Sequence, residues 1–194
     1  SINYDYLKAS DIFEEVKNME TVTGDKEYFT LGISGKGDGL FKHPKGLFEK
    51  DRLNKVKLNW FAYSRLFAHN GSFAYVTEDY EGFYLSNEFP TFTVKKIVHG
   101  DLISLLDYLC FYFSSPQVTA FINRMTTGST KESRARFKSE QFLALRVAIP
   151  HDRRDFVEVV EMIRKIKNFK KSVKLLNEQI EDLPSSYKYE LPFK

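Results

Sequence analysis

Residues 126–137 read TTGSTKESRARF: five hydroxyl side chains, one glycine, three cations and a single acid, Glu132, in twelve positions. Hydroxyls and backbone amides are the groups that hold phosphate oxygens, so the segment is either a phosphate-holding surface or a solvated connection between the apolar stretches LDYLCFYF and FLALRVAIP. Its surroundings are cationic, since residues 124–138 carry five bases and one acid, a balance of +4. A second basic run covers 35–57, with seven bases and three acids, again +4, whereas residues 1–30 carry seven acids and three bases. Against a net charge of only +3, this clustering is a nucleic-acid signal.

Other chemistries are tested and fail. Gly35, Gly37 and Gly39 do not make a P-loop, because Lys36 is followed by glycine rather than serine or threonine. They do not make a dinucleotide fingerprint either, since LFKHP does not open a helix. His43, His69, His99 and His151 lack the mutual spacing of a metal site, and one cysteine cannot complete a thiolate set. Glu15-Val16-Lys17, with Asp5 or Asp11 upstream, is better explained as helix-surface charge than as a nuclease triad. In NEFP, residues 87–90, Glu88 occupies the second position of the Asn-Pro-Pro-aromatic methyltransferase pattern, so no flipped-base pocket is indicated. Neither catalysis, a metal nor a cofactor is expected in this chain.

The elements that must position these residues are those of a globular protein. The 194 residues are 42% hydrophobic and 28% charged, enough for one domain with a core and an appendage. The longest apolar run, Leu102 to Phe113, is interrupted by Ser104 and Asp107 and is too short to cross a bilayer. Cys110 reads as a small core residue; with no secretory leader at the start of this sequence, a cytoplasmic setting is expected. Leu7, Ile12, Val16 and Met19 have helical spacing and predict one short helix. KEYFTLGIS reads as a strand entering the GKGDG turn, KVKLNWFAYSRLF as a strand, and HNG as the turn of a hairpin into SFAYVTE. YEGFYLSNEFPTFTV is strand broken at 86–90, where Ser86 and Asn87 read as turn caps. Asp101 caps a helix, Pro116 opens another, and FKSEQFLALRVAIP reads as strand.

From Asp152 the pattern changes. Val159, Ile166, Val173 and Ile180 recur every seven residues, and Met162, Phe169, Leu176 and Leu183 recur three positions on. This is a heptad seam with a β-branched residue at every a position, flanked by polar residues such as Glu158, Lys165, Lys170 and Gln179. A helix lying on its own domain needs a wider apolar stripe, so a partner helix is expected. The helix, Phe156 to Leu183, spans roughly 42 Å at 1.5 Å per residue. One turn of B-DNA is about 34–36 Å. The expected fold is mixed α/β (α+β): a globular domain over 1–151, a long coiled-coil-forming spacer helix over 152–184, and a tail over 185–194.

Ser64-Arg65-Leu66, Gly71-Ser72-Phe73, and Gly82 with Ser86 to Phe92 occur in that order. They are followed by the helix DLISLLDYLCFYF, the Gly128–Arg136 loop, a Phe142–Pro150 strand and the long helix. This arrangement, over nearly the whole chain, resembles a target recognition domain of type I restriction-modification specificity (S) subunits, together with one conserved-region helix. The resemblance implies a non-catalytic subunit that reads one half of a split DNA target. It would direct an adenine methyltransferase and, through it, a restriction subunit. Its partners would be double-stranded DNA, the modification and restriction subunits, and a second recognition domain in the same full-length chain or a homodimer, with no membrane. The family's two long helices lie antiparallel, whereas β-branched a and leucine d residues in isolation favour a parallel pair.

In that light the TTGSTKESRARF loop is expected to face DNA, with Thr127, Ser129, Thr130, Lys131, Arg134 and Arg136 as contacts. Arg134 and Arg136 can bind phosphate or reach guanine edges. The alternative packs one of them on the domain or pairs it with Glu140. Lys36, Lys42, His43 and Lys45 form the second candidate surface, and Arg65 is either a neighbour of that face or a structural arginine. The competing reading of the whole chain is a non-catalytic scaffold that dimerises through its helix.

Overall fold

The computed structural model describes residues 2–43, 51–126 and 136–182. The chain opens with strand β1 (Tyr4–Lys8), a single helical turn α1 (Ala9–Ile12), β2 (Phe13–Val16) and β3 (Met19–Thr21). The one short helix expected here is therefore incorrect. Its 3.6-residue spacing arose by chance from residues of separate elements, and partner strands decide the outcome. β1 pairs antiparallel with β11 (Arg146–Pro150), Tyr4 opposite Pro150, while β2 pairs with β10 (Thr91–Val94).

β10 in turn pairs with β7 (Phe61–Tyr63), and β7 with β8 (Phe73–Tyr75), giving an antiparallel sheet in the order β2-β10-β7-β8. The period-two alternation of strand side chains divides this sheet between two cores. Phe61, Tyr63, Phe73 and Phe92 join Phe13, Phe113, Phe137 and Phe142 in a buried aromatic cluster beneath the helices. Ala62 and Ala74 face the other way, into a smaller core with Leu31, Ile33, Val56, Val76 and Leu85. That second core lies with a three-stranded sheet, β3, β6 (Arg52–Lys55) and β9 (Tyr84–Leu85), and the hairpin of β4 (Leu31–Ile33) and β5 (Leu40–Lys42). As expected, GKGDG turns this hairpin, with Lys36, Gly37 and Gly39 all at positive φ (59°, 71° and 90°). The HNG turn also closes the β7–β8 hairpin, within a wider loop over 64–72.

Helix α2 (Leu102–Phe113) is capped by Asp101, whose Oδ1 accepts from Ser104 N at 2.8 Å. α3 (Pro116–Thr126) starts on its proline, which has no N–H to leave unpaired. The strand reading of FKSEQFLALRVAIP is half right. Residues Ser139–Ala144 form the short helix α4, where Gln141 Oε1 accepts from Lys138 N at 2.9 Å, and only RVAIP, with its β-branched residues, is strand. Cys110 is buried, as expected.

Helix α5 (Arg153–Glu181) follows β11 directly. Phe156, Val160 and Ile163, spaced four and three residues apart, are buried against the globular core, and α5 packs along α2. Ile163 is the last buried residue of α5, and residues 168–182 are all exposed. No helix among the described residues is long and apolar enough to cross a membrane.

Candidate nucleic-acid interface

The TTGSTKESRARF loop is known by its two ends. It leaves α3 at Thr126, whose hydroxyl bonds back to Ile122 O at 3.0 Å. It returns at Phe137, a fully buried ring whose N–H donates to Arg65 O at 3.0 Å and whose carbonyl accepts from Tyr63 Oη at 3.0 Å. Thr127, Ser129, Thr130, Lys131 and Arg134 lie outside the described residues, as does Lys45 of the first basic run. Arg136 is described. Its Nε donates to Glu88 Oε2 at 3.0 Å, not to Glu140, and its side chain is still more than half exposed.

Glu88 organises this corner. Its carbonyl accepts from Arg65 N at 2.9 Å while its carboxylate holds Arg136, so residues from SRLF, SNEF and the end of the loop converge on it. Ser86 shapes the turn that presents it, accepting from Glu88 N at 3.4 Å through its hydroxyl and from Phe89 N at 3.0 Å through its carbonyl. Among the described residues, the buried Arg65 Nε has no hydrogen-bond partner. Arg65 and Arg136, predicted from different segments, are thus brought together.

Lys36 is exposed on the GKGDG turn, with its N–H on Asn70 O at 2.8 Å and the next amide, Gly37 N, on Gly71 O at 3.1 Å. Ser114 Oγ donates to the same Gly71 carbonyl at 3.0 Å. A Cβ on Gly71, at φ +77°, would stand 3.3 Å from both Lys36 N and Ser114 Cα, which is why glycine serves there. One loop, 64–72, therefore carries Arg65 at its start and braces Lys36 at its end. Lys42 and His43 sit farther along the hairpin. Lys42 Nζ lies 5.0 Å over the Phe83 ring, and His43 packs edge-on to Phe41 at 5.0 Å. Among the described residues no hydrogen bond or ion pair joins Lys42 or His43 to the Arg65–Arg136 corner.

The heptad residues form the second candidate surface. Met162, Ile166, Phe169, Val173, Leu176 and Ile180 are all exposed, Phe169 the most at 72%, while Val159 is half-buried against the core. Leu183 lies outside the described residues. No group of three or more histidine, cysteine, aspartate or glutamate side chains able to hold a metal occurs among the described residues. Sequence reading missed Glu88 as the partner of Arg136. It also missed Asp107, noted there only as a break in an apolar run. The carboxylate of Asp107 takes Arg164 Nε at 3.0 Å and Lys167 Nζ at 2.6 Å from α5, and Tyr75 Oη at 3.1 Å from β8.

No family model matches the sequence, and no curated protein does. Solved structures do. The HsdS subunit from Thermoanaerobacter tengcongensis superposes with a TM-score of 0.60 at 10% identity, over 91% of this chain and 45% of that one. The fold is that of one half of a type I S subunit. The S subunit of the type I restriction-modification system from M. genitalium gives a TM-score of 0.58 at 14% identity, over 98% of this chain and 46% of its own. A chain from the type I R-M system whose complex assembly and conformational transition have been described gives 0.58 at 13%, over 94% and 47%. This chain thus spans a little under half the length of each of these three proteins, and it shares with them a mixed α/β domain followed by a long C-terminal helix.

Proposed function

We propose that this chain is a sequence-specific DNA-reading module of a type I restriction-modification system, recognising one half of a bipartite target and guiding an adenine methyltransferase, and with it a restriction subunit, to that site. The observation that carries the reading is the match of reader domain and long helix together, over more than nine-tenths of this chain, to halves of S subunits. The module itself does no chemistry. Cationic groups around Arg65, Arg136 and the TTGSTKESRARF loop neutralise phosphates, and a few side chains select bases. Lys36, Lys42 and His43 extend the electrostatic surface along the β4–β5 hairpin.

In this reading α5 is the spacer. Its exposed seam, Met162 to Ile180, pairs with the helix of a second recognition unit, supplied by a longer chain or by a second copy. With two copies, two-fold symmetry makes the split target palindromic. The scaffold reading uses the same seam but gives the cationic corner no task. Duplex binding separates the two. The chain should bind mixed-sequence duplex at 50 mM salt and lose affinity by at least about tenfold at 200 mM, as counterion release requires. A folded chain with no measurable duplex binding at 50 mM salt supports the scaffold instead.

A further inference from the structure

Asp107 is the single charged residue that is buried among the described ones, and it lies where α5 departs from the body. Both of its carboxylate oxygens are taken. Arg164 Nε occupies Oδ2 at 3.0 Å, while Lys167 Nζ and Tyr75 Oη share Oδ1 at 2.6 and 3.1 Å. Arg164 reaches one step further, its Nη2 donating to Ser104 Oγ at 3.2 Å, and that hydroxyl donates to the cap residue Asp101 at 2.9 Å. One side chain thus ties together α2, its N-cap, the sheet and two successive turns of α5.

We propose that Asp107 is a positioning residue that fixes the direction of α5 relative to the globular unit, and through it the gap between two half-targets that a paired assembly accepts. The second clause rests on the DNA-reading function proposed above; the first does not. Apolar contacts at Phe156, Val160 and Ile163 hold α5 against the core, but such contacts have little directionality and permit roll and slide. Charge-assisted hydrogen bonds are directional, and a carboxylate engaged on both oxygens by residues three apart on one helix face resists both motions. The next contact along α5 is weaker. Lys170 Nζ meets Lys36 O at 3.3 Å and the exposed carboxylate of Asp38 at 3.9 Å, where solvent screens the pair. Past that point residues 171–182 are all exposed. From Lys167 to its end the helix runs on for about 14 residues, roughly 21 Å. A swing of about 10° at the clamp moves that end by about 4 Å, close to the 3.4 Å rise of one base pair. A loosened clamp therefore translates directly into tolerance for a longer or shorter gap.

The test uses the full chain with spin labels on cysteines placed at Asp79 and Lys174, both exposed; Cys110 is buried, with its thiol pushed up to about 12, and stays unlabelled. Diluted into excess unlabelled chain, so that only distances within one chain are read, the labelled parent should give one narrow label-to-label distance. Asp107→Asn, and independently the pair Arg164→Gln with Lys167→Gln, should broaden or displace it by about 2 Å or more, since Lys174 lies roughly 10 Å past the clamp. On duplexes whose half-targets are moved apart by one base pair, the parent should lose at least about tenfold in affinity and the variants less than about threefold. An unchanged distance in whichever variant folds, judged by circular dichroism, overturns the proposal. Unchanged discrimination against the altered gap overturns its second clause. If the parent binds no duplex at all, the DNA-reading function fails, and the distance still decides whether Asp107 sets the helix.

Discussion

Glu88 and Arg136 stand 48 positions apart and meet at 3.0 Å, a pairing that no spacing rule could have indicated. The sequence marked Arg136 and Arg65 as interesting through their neighbours, the basic cluster and the Ser-Arg-Leu run. The acid that gathers them belongs to a turn read for its Ser86 and Asn87 caps and for a methyltransferase pattern that Glu88 fails, never as a partner for an arginine. Arg136 keeps most of its side chain in solvent while touching Glu88, so it can exchange a carboxylate for a phosphate oxygen at small cost. Arg136→Ala should weaken duplex binding by about tenfold and reduce the slope of log affinity against log salt by about 1, measured by fluorescence anisotropy. Asp107 gives a different residue-scale prediction. Burial raises its pKa, but Lys167, Arg164 and Tyr75 outweigh that, and the folded carboxyl lies below its ordinary value. A lowered folded pKa means the stabilisation is complete above the ordinary aspartate value and is lost as pH falls through the folded one. Urea titrations should therefore show the parent more stable than Asp107→Asn by about 1–3 kcal/mol at pH 7, the difference shrinking below about pH 4.

At the scale of elements, legibility followed locality. The Asp101 cap, the Pro116 start, the GKGDG and HNG turns and the whole of α5 depend on neighbours within a few residues, and each is where its signal places it. The first sixteen residues and residues 139–144 went the other way. Tyr4–Lys8 is a strand because Arg146–Pro150 offers it a ladder at the far end of the globular unit, and no local pattern carries that information. The double burial of the β2-β10-β7-β8 sheet was likewise hidden, since Phe61-Ala62-Tyr63 reads as uniformly apolar until two cores are in view. The seam of α5 was plain in the sequence, and its exposure is what a partner-facing surface requires. At micromolar concentration the chain should sediment as a dimer or larger. Ile166→Asp with Val173→Asp should return it to a monomer with its helicity kept.

For the whole molecule, a globular unit is joined to a long helix whose residues are all exposed from 168 to 182. The helix, 29 residues long, spans about 43 Å, which is more than one turn of B-DNA. A reader held at that separation from its twin would sample two sites on one face of a duplex, and the gap between them would be set by packing at the start of α5 rather than by contact with the intervening bases. The order of motifs along the chain carried this architecture. Which bases the proposed reader would select was not legible, because no code maps its residues to bases. Selection of the folded chain against a pool of randomised duplexes measures this most directly. The account predicts enrichment of a short defined motif, lost on Arg136→Ala or reduced to salt-sensitive binding without preference. Retained binding with a flat, unenriched pool would contradict it.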